Sequence, residues 1–326
     1  MSNRRIMIHI GLPKTATTFF QESIFPYLSN VRYISRPYTQ ANNAFNKLQY
    51  ADDSLYNSYE LQDEIDKILS LEPKHNTVLI SDELFCGLSH YNFINRSLIA
   101  HRLASILPNA EVILFLRGQK DIIRSLYNQK IKIGWLTDRL SSKFISIPGK
   151  GLNLEDWLNG RRDWDMNLRY INHRSYMNQH HFLYYDLVKF YKNIFRVHVF
   201  LYEDFITKPQ AFVKEILYLL ESDLPEEKII NIIKKVNSSL TDERMLSKMI
   251  QNRLTNLTDK TRGKLGQTIA NLILSILDSN KILKEDEEYL NQLVNQELYA
   301  QNNLMLEQKY PEIGVSRYPD AYPLPQ

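Results

Sequence analysis

The stretch Ile6 to Gln21, IMIHIGLPKTATTFFQ, constrains this chain more than any other. A short apolar run, Ile6 to Ile10, leads into a tight loop, Gly11-Leu12-Pro13-Lys14. Three hydroxyl residues follow, Thr15, Thr17 and Thr18, and then Phe19, Phe20 and Ile24 begin a helical pattern. The order reads as buried strand, loop and helix start. The free N–H groups of a helix start and the positive end of its dipole both favour an anion. Lys14 adds a compact positive charge. The stretch therefore reads as a phosphate cradle.

It is not the loop of the nucleotide triphosphatases, which needs Gly-x-x-x-x-Gly-Lys-Ser/Thr. Lys14 follows Gly11 by three residues with no second Gly before it, and Pro13 stiffens the turn. Such a loop suits one phosphate group rather than a β,γ pair. A kinase or nucleotide hydrolase is the competing reading. It requires ATP and magnesium, and no Ser/Thr-plus-Asp magnesium pair can be placed.

The rest of the chain alternates strand and helix signals. Thr77 to Ser81 (TVLIS) reads as a buried parallel strand, and Glu111 to Leu116 (EVILFL) is the clearest strand of all. Val31 to Ser35 is a weaker candidate, and Arg196 to Tyr202 is the next clear one. Helical spacing covers Leu61 to Leu71, Leu98 to Leu107, Asp121 to Ile133, Tyr184 to Phe195 and a segment from Pro209 to Leu220. The expected fold is α/β, a mostly parallel central sheet with helices on both faces. Ligands of such sheets bind at the carboxyl ends of strands. Beyond Glu226 only helical patterns remain, at Ile229 to Val236, Glu243 to Arg253, Leu265 to Leu277 and Glu285 to Glu307. A Pro-rich tail from Tyr310 is expected to be extended. Residues 1–225 thus read as the core, and 226–326 as a helical extension packed on it.

A second motif follows the strongest strand: Arg117-Gly-Gln-Lys-Asp121-Ile-Ile-Arg-Ser125-Leu-Tyr127. Arg117 stands at a strand's carboxyl end, where a guanidinium can grip a phosphate through two donors. Asp121 is placed to cap the next helix, with Ser125 one turn on along the same face. Arg117 and the Ser125 hydroxyl could hold a second phosphate.

Pro13-Lys14-Thr15-x-Thr17-Thr18 resembles the 5′-phosphosulfate loop of sulfotransferases that use 3′-phosphoadenosine-5′-phosphosulfate (PAPS). Ala16 stands where that loop commonly has Gly. Arg117, Asp121, Ser125 and Tyr127 match the 3′-phosphate motif of the same family, with Gln119 in place of its Pro, so a looser turn is expected. Tyr202-Glu203-Asp204-Phe205 resembles the family's late strand and helix, and Val236-Asn237-Ser238-Ser239-Leu240 looks like a segment frequent in its bacterial members. Arg262 and Lys264, in Thr-Arg-Gly-Lys-Leu-Gly, are similar in content to a family loop that grips the 3′-phosphate, though ordered differently. An interhelical turn is the alternative.

The resemblance implies a P-loop-like sulfotransferase fold and in-line transfer of a sulfuryl group from PAPS to an acceptor hydroxyl or amine; the alternative within the family is a relative that binds PAPS and has lost the chemistry. Lys14 would stabilise the leaving phosphate. Pro13, Lys14, Thr15, Ala16, Thr17 and Thr18 would form the 5′-phosphate cradle, with Arg117 and Ser125 at the 3′-phosphate. No metal is required. The first candidate for the general base is Glu83 in Ser81-Asp82-Glu83-Leu84, at the sheet's ligand-binding edge, with Asp82 second. Both residues also fit a helix start, Asp82 as cap and Glu83 facing the dipole. His9, inside the first strand, reads as a core histidine.

Composition narrows the partners. A net charge of +3 on 326 residues is too weak for a nucleic-acid footprint. The single cysteine, Cys86, allows no intrachain disulfide and suits a reducing, cytoplasmic setting. No apolar run approaches the roughly 20 residues of a membrane span. Residues 130–168 hold Trp135, Trp157 and Trp164 beside Arg161 and Arg162, and read as an acceptor lid or as simple packing. The acceptor is expected to be a small molecule or saccharide.

Overall fold

The computed structural model describes residues 4–36, 38, 43–71, 74–89, 92–132, 154–159, 177–234, 279–294 and 297–325. Five strands make one sheet: β1 (Arg5–His9), β2 (Val31–Ser35), β3 (Thr77–Ser81), β4 (Glu111–Leu116) and β5 (Arg196–Leu201). Their order is β2-β3-β1-β4-β5, and every pairing is parallel. The register sets His9 and Ser35 both opposite Ser81, so three strands end level at one rim.

Side-chain alternation along the strands divides the core in two. Met7, Leu79, Ile113 and Phe115 face one layer, packed on Phe20, Phe25, Phe205 and Phe212. Ile8, Val78, Ile80, Val112 and Leu114 face the other, packed on Ile65, Leu103, Leu126 and Tyr191. Burial on both faces is why these strands are nearly continuous apolar runs.

After β1 the chain makes an irregular helix. One α-turn, α1 (Thr17–Phe19), continues as a π-turn, Phe20–Ile24, and a 3-10 turn, Phe25–Tyr27. Helices α2 (Ala44–Tyr50), α3 (Ser58–Ser70), α4 (Arg96–Ile106), α5 (Gln119–Lys132), α6 (Leu154–Asn159) and α7 (Tyr184–Lys192) fill the crossovers. Beyond β5 come α8 (Tyr202–Thr207), α9 (Pro209–Leu219) and α10 (Glu226–Lys234). The last two helices are α11 (Ser279–Val294) and α12 (Glu297–Lys309). The helical spacing at Glu285 to Glu307 thus belongs to two elements. Tyr202, expected to end β5, instead opens α8. The expected helices at Glu243 to Arg253 and Leu265 to Leu277 lie outside the described residues.

The tail is not extended. Two 3-10 turns, Pro311–Ile313 and Val315–Arg317, fold it back onto the body, and Ile313, Val315 and Tyr322 are buried in the larger core layer. Asp204 holds it through Arg317, with contacts of 2.7 and 2.8 Å, and through the Tyr318 hydroxyl at 2.8 Å. At the rim opposite the strand ends, Glu111 accepts from Arg5 Nε at 2.7 Å and lies 2.7 Å from His198 Nε2. The Arg5 hydrogen bond is the chief reason its carboxyl is held down to about 2. This cluster ties the starts of β1, β4 and β5 together.

Candidate active site

The rim formed by the strand ends collects the chemistry. Gly11 is required where β1 leaves the sheet, because a Cβ there would lie 2.9 Å from His9 Nε2 and 3.1 Å from Thr17 Oγ1. His9 itself is fully buried between Phe25 and Phe115, with Nδ1 2.8 Å from Ser81 Oγ. Burial pushes its pKa down to about 3, so the ring is a neutral floor under the loop.

The loop hydroxyls divide their tasks. Thr15 Oγ1 donates to the Leu12 carbonyl at 2.5 Å, and Thr17 Oγ1 reaches the same oxygen at 3.4 Å. Both side chains are buried and close the loop on itself, while Thr18 is exposed and Pro13 is buried. The Thr15 and Thr17 hydroxyls are thus taken up within the loop itself. Lys14 (φ 71°) and Ala16 (φ 64°) are both left-handed, on either side of Thr15. Such alternation turns successive N–H groups into one concavity, an anion-binding nest. Ala16 is also the N-cap of α1 and caps it with no side-chain hydrogen bond.

The Gly commonly found at position 16 therefore matters here. A left-handed Ala carries a steric cost of about 1–2 kcal/mol that Gly avoids. Ala16→Gly is expected to raise the free energy of unfolding by roughly 1 kcal/mol, read by denaturant melts. Unchanged or lower stability would contradict the backbone conformation at this residue.

The two motifs meet. Arg117 Nη1 donates to the Lys14 carbonyl at 2.9 Å across 103 residues of sequence. Its guanidinium lies 4.6 Å from the Tyr202 ring centroid, and its Nε is buried without a hydrogen-bond partner among the described residues. Behind it, Gly118 N donates to Glu203 Oε1 at 2.9 Å. Helix α5 begins two residues earlier than expected, so Asp121 is not its cap. It sits exposed in the first turn, while the Gly118 carbonyl accepts from Ile122 N at 3.0 Å. Ser125 is half-buried one turn further along α5.

Gln119 does not loosen the turn. Fully buried, it donates through Nε2 to Asn303 Oδ1 at 2.7 Å. Arg262 and Lys264 lie outside the described residues.

The two candidate bases differ sharply. Asp82 is 1% exposed and its oxygens are occupied. Oδ1 accepts from Leu84 N at 2.9 Å, capping the 3-10 turn Glu83–Cys86, while Oδ2 accepts from Tyr38 OH at 2.7 Å and Gln49 Nε2 at 2.5 Å. That geometry gives Asp82 the capping role foreseen as its alternative and leaves it poorly suited to take a proton from substrate. Glu83 is half-buried, and among the described residues its carboxylate has no hydrogen-bond partner. Desolvation and then the Asp82 charge raise its pKa, while Arg36 and Lys14 pull it back. A basic carboxylate thus lies within the field of Lys14.

Arg36, Tyr202 and Glu203 belong to this rim, though none was among the candidates. Each directly follows a strand or lies one residue on, the rule that singled out Arg117 and Asp82, and it applied to β2 and β5 equally. Of the suggested lid, Trp157 is fully buried against Tyr127, with ring centroids 5.6 Å apart, and so packs the core. Trp135, Trp164, Arg161 and Arg162 lie outside the described residues. Among the described residues no group of three or more His, Cys, Asp or Glu could hold a metal, and no helix is long and apolar enough to cross a membrane.

A family model described as sulfotransferase domain matches residues 4–265. A sulfotransferase from Alicyclobacillus acidocaldarius is similar at 14% identity, with 82% of this chain and 100% of that chain covered and a TM-score of 0.43. A mouse sulfotransferase complexed with PAP is similar at 15% identity, covering 83% and 89% of the two chains with a TM-score of 0.35. No curated protein matches the chain.

Proposed function

Since this chain belongs to the sulfotransferase domain family, we propose that it moves a sulfuryl group from PAPS to a hydroxyl or amine of a saccharide or glycolipid acceptor. The observation that supports this reading is the hydrogen bond from Arg117 to the Lys14 carbonyl, which brings the loop read as a one-phosphate cradle beside the arginine read as the grip on a second phosphate. A donor with separate 5′- and 3′-phosphates needs that pairing; a triphosphate does not. The nest around Thr15 and the buried Arg117 Nε fit such a donor.

In the reaction, the acceptor oxygen or nitrogen forms a bond to sulfur as the bond from sulfur to the bridging phosphate oxygen breaks. The attacking group's proton passes to Glu83. The charge left on the 5′-phosphate is met by Lys14 and the loop N–H groups, and Arg117 with Ser125 holds the 3′-phosphate. Catalysis is then mainly positioning and electrostatic stabilisation. Residues 1–225 supply the donor core, 226–326 complete it as one unit, and the buried, free Cys86 suits a cytoplasmic enzyme.

Calorimetric titration with 3′-phosphoadenosine-5′-phosphate in EDTA tests the reading, with ATP and AMP as controls. Metal-independent binding is expected, weakened about a hundredfold in Arg117→Ala by loss of a charge-assisted bidentate contact. Preference for ATP with magnesium would replace it with the kinase reading.

A further inference from the structure

The turn that presents Arg117 is braced from behind by residues 297–325, a segment beyond the family domain at 4–265. Glu203 stands between the two, accepting from Gly118 N at 2.9 Å through Oε1 and from Tyr322 OH at 2.7 Å through Oε2. The Tyr184 hydroxyl donates to the Arg117 carbonyl, and its ring packs on that of Tyr322. On the other side of the turn, Gln119 is joined to Asn303, whose Nδ2 also reaches the Pro323 carbonyl at 3.0 Å. The fit leaves no room: a Cβ on Gly118 would lie 2.7 Å from Ala321 Cβ.

Every polar group in this brace is buried or nearly so, and each satisfies another. Removing one would leave its partner unpaired, which favours a shift of the turn rather than a simple gap. Gripping a phosphate through two donors tolerates only about 0.5 Å and 10–20° of misplacement. A Pro commonly fixes this turn in the motif it resembles, whereas here the Gln119–Asn303 amide pair ties it down.

We infer that the C-terminal segment is part of the donor site, with Tyr322 and Asn303 as positioning residues that hold the Arg117 turn against the donor's 3′-phosphate. This rests on the proposed donor. It assigns a role to a segment that makes no contact with the 5′-phosphate loop in the interactions described above.

The test compares 3′-phosphoadenosine-5′-phosphate with AMP, ligands that differ only in the 3′-phosphate. Titrations use wild type, Tyr322→Phe and Asn303→Ala, each first shown to be folded by thermal melt. Each variant is expected to bind the bisphosphate about tenfold more weakly, the size of one lost hydrogen bond, with AMP affinity unchanged. Two separate contacts are probed, so a folding failure in one variant leaves the other to decide. Equal loss for both ligands, or no loss in a folded variant, would overturn the inference while leaving the donor reading intact. A wild type that binds both ligands equally, with Arg117→Ala silent, would overturn the donor reading and this inference together.

Discussion

Lys14→Ala is expected to lower kcat about a thousandfold, the cost of removing one preorganised charge stabiliser from a transition state. In the proposed reaction, the ammonium sits on the loop where negative charge grows as the sulfuryl group departs. An interaction that strengthens only at that moment acts on kcat rather than on binding. The bisphosphate product should therefore still bind the variant, because the loop N–H groups and Arg117 remain. Lys14→Arg is not expected to rescue, since a planar fork differs in shape and reach from a point charge. The measurement is release of 3′-phosphoadenosine-5′-phosphate from the donor with a panel of mono- and disaccharide acceptors. Turnover within tenfold of wild type would remove Lys14 from the chemistry.

Glu83→Gln should be nearly as severe, at about a thousandfold in kcat/KM, within the usual range for a positioned general base. Its signature is the pH profile. A base works ionised, so wild-type activity should fall as pH drops through the Glu83 pKa. Burial and the neighbouring Asp82 raise that pKa above the ordinary carboxylate value, which moves the acid limb upward. The limb should vanish in Glu83→Gln. Arg36→Ala should move it higher still, because Arg36 is one of the charges holding the carboxylate ionised. In Asp82→Asn the limb should persist, though stability should drop as Tyr38 and Gln49 lose their acceptor. A limb that disappears in Asp82→Asn but survives Glu83→Gln would exchange the two assignments.

Strands β3 and β4 were legible to the residue, because a strand buried on both faces writes itself as an unbroken apolar run between polar ends. The placement of Lys14 and Arg117 beyond strand ends was legible because they sit at fixed offsets from such runs. The left-handed backbone of Ala16 was not, since Ala at that position is chemically silent until its φ is known. The inward turn of Thr15 and the pairing of Gln119 with Asn303 were equally hidden. Contacts across 184 residues leave no local periodicity to read. The tail misled for a related reason: its prolines read as an extended chain, yet Pro311 opens a 3-10 turn whose Ile313 is core, as is Val315 just beyond it.

The folded-back tail also sets an order of events during synthesis. All five strands are complete once residue 201 has been made, so the sheet can assemble well before Asn303 and Tyr322 emerge. The brace behind Arg117 arrives only with Asn303 and Tyr322. A nascent chain should thus hold its sheet before it can grip a nucleotide, and donor affinity should come only once Asn303 and Tyr322 have been made. For work at the bench, a fusion placed close after Tyr322 would press on the segment proposed to shape the donor site, whereas Arg4 lies just before β1, at the far rim of the sheet.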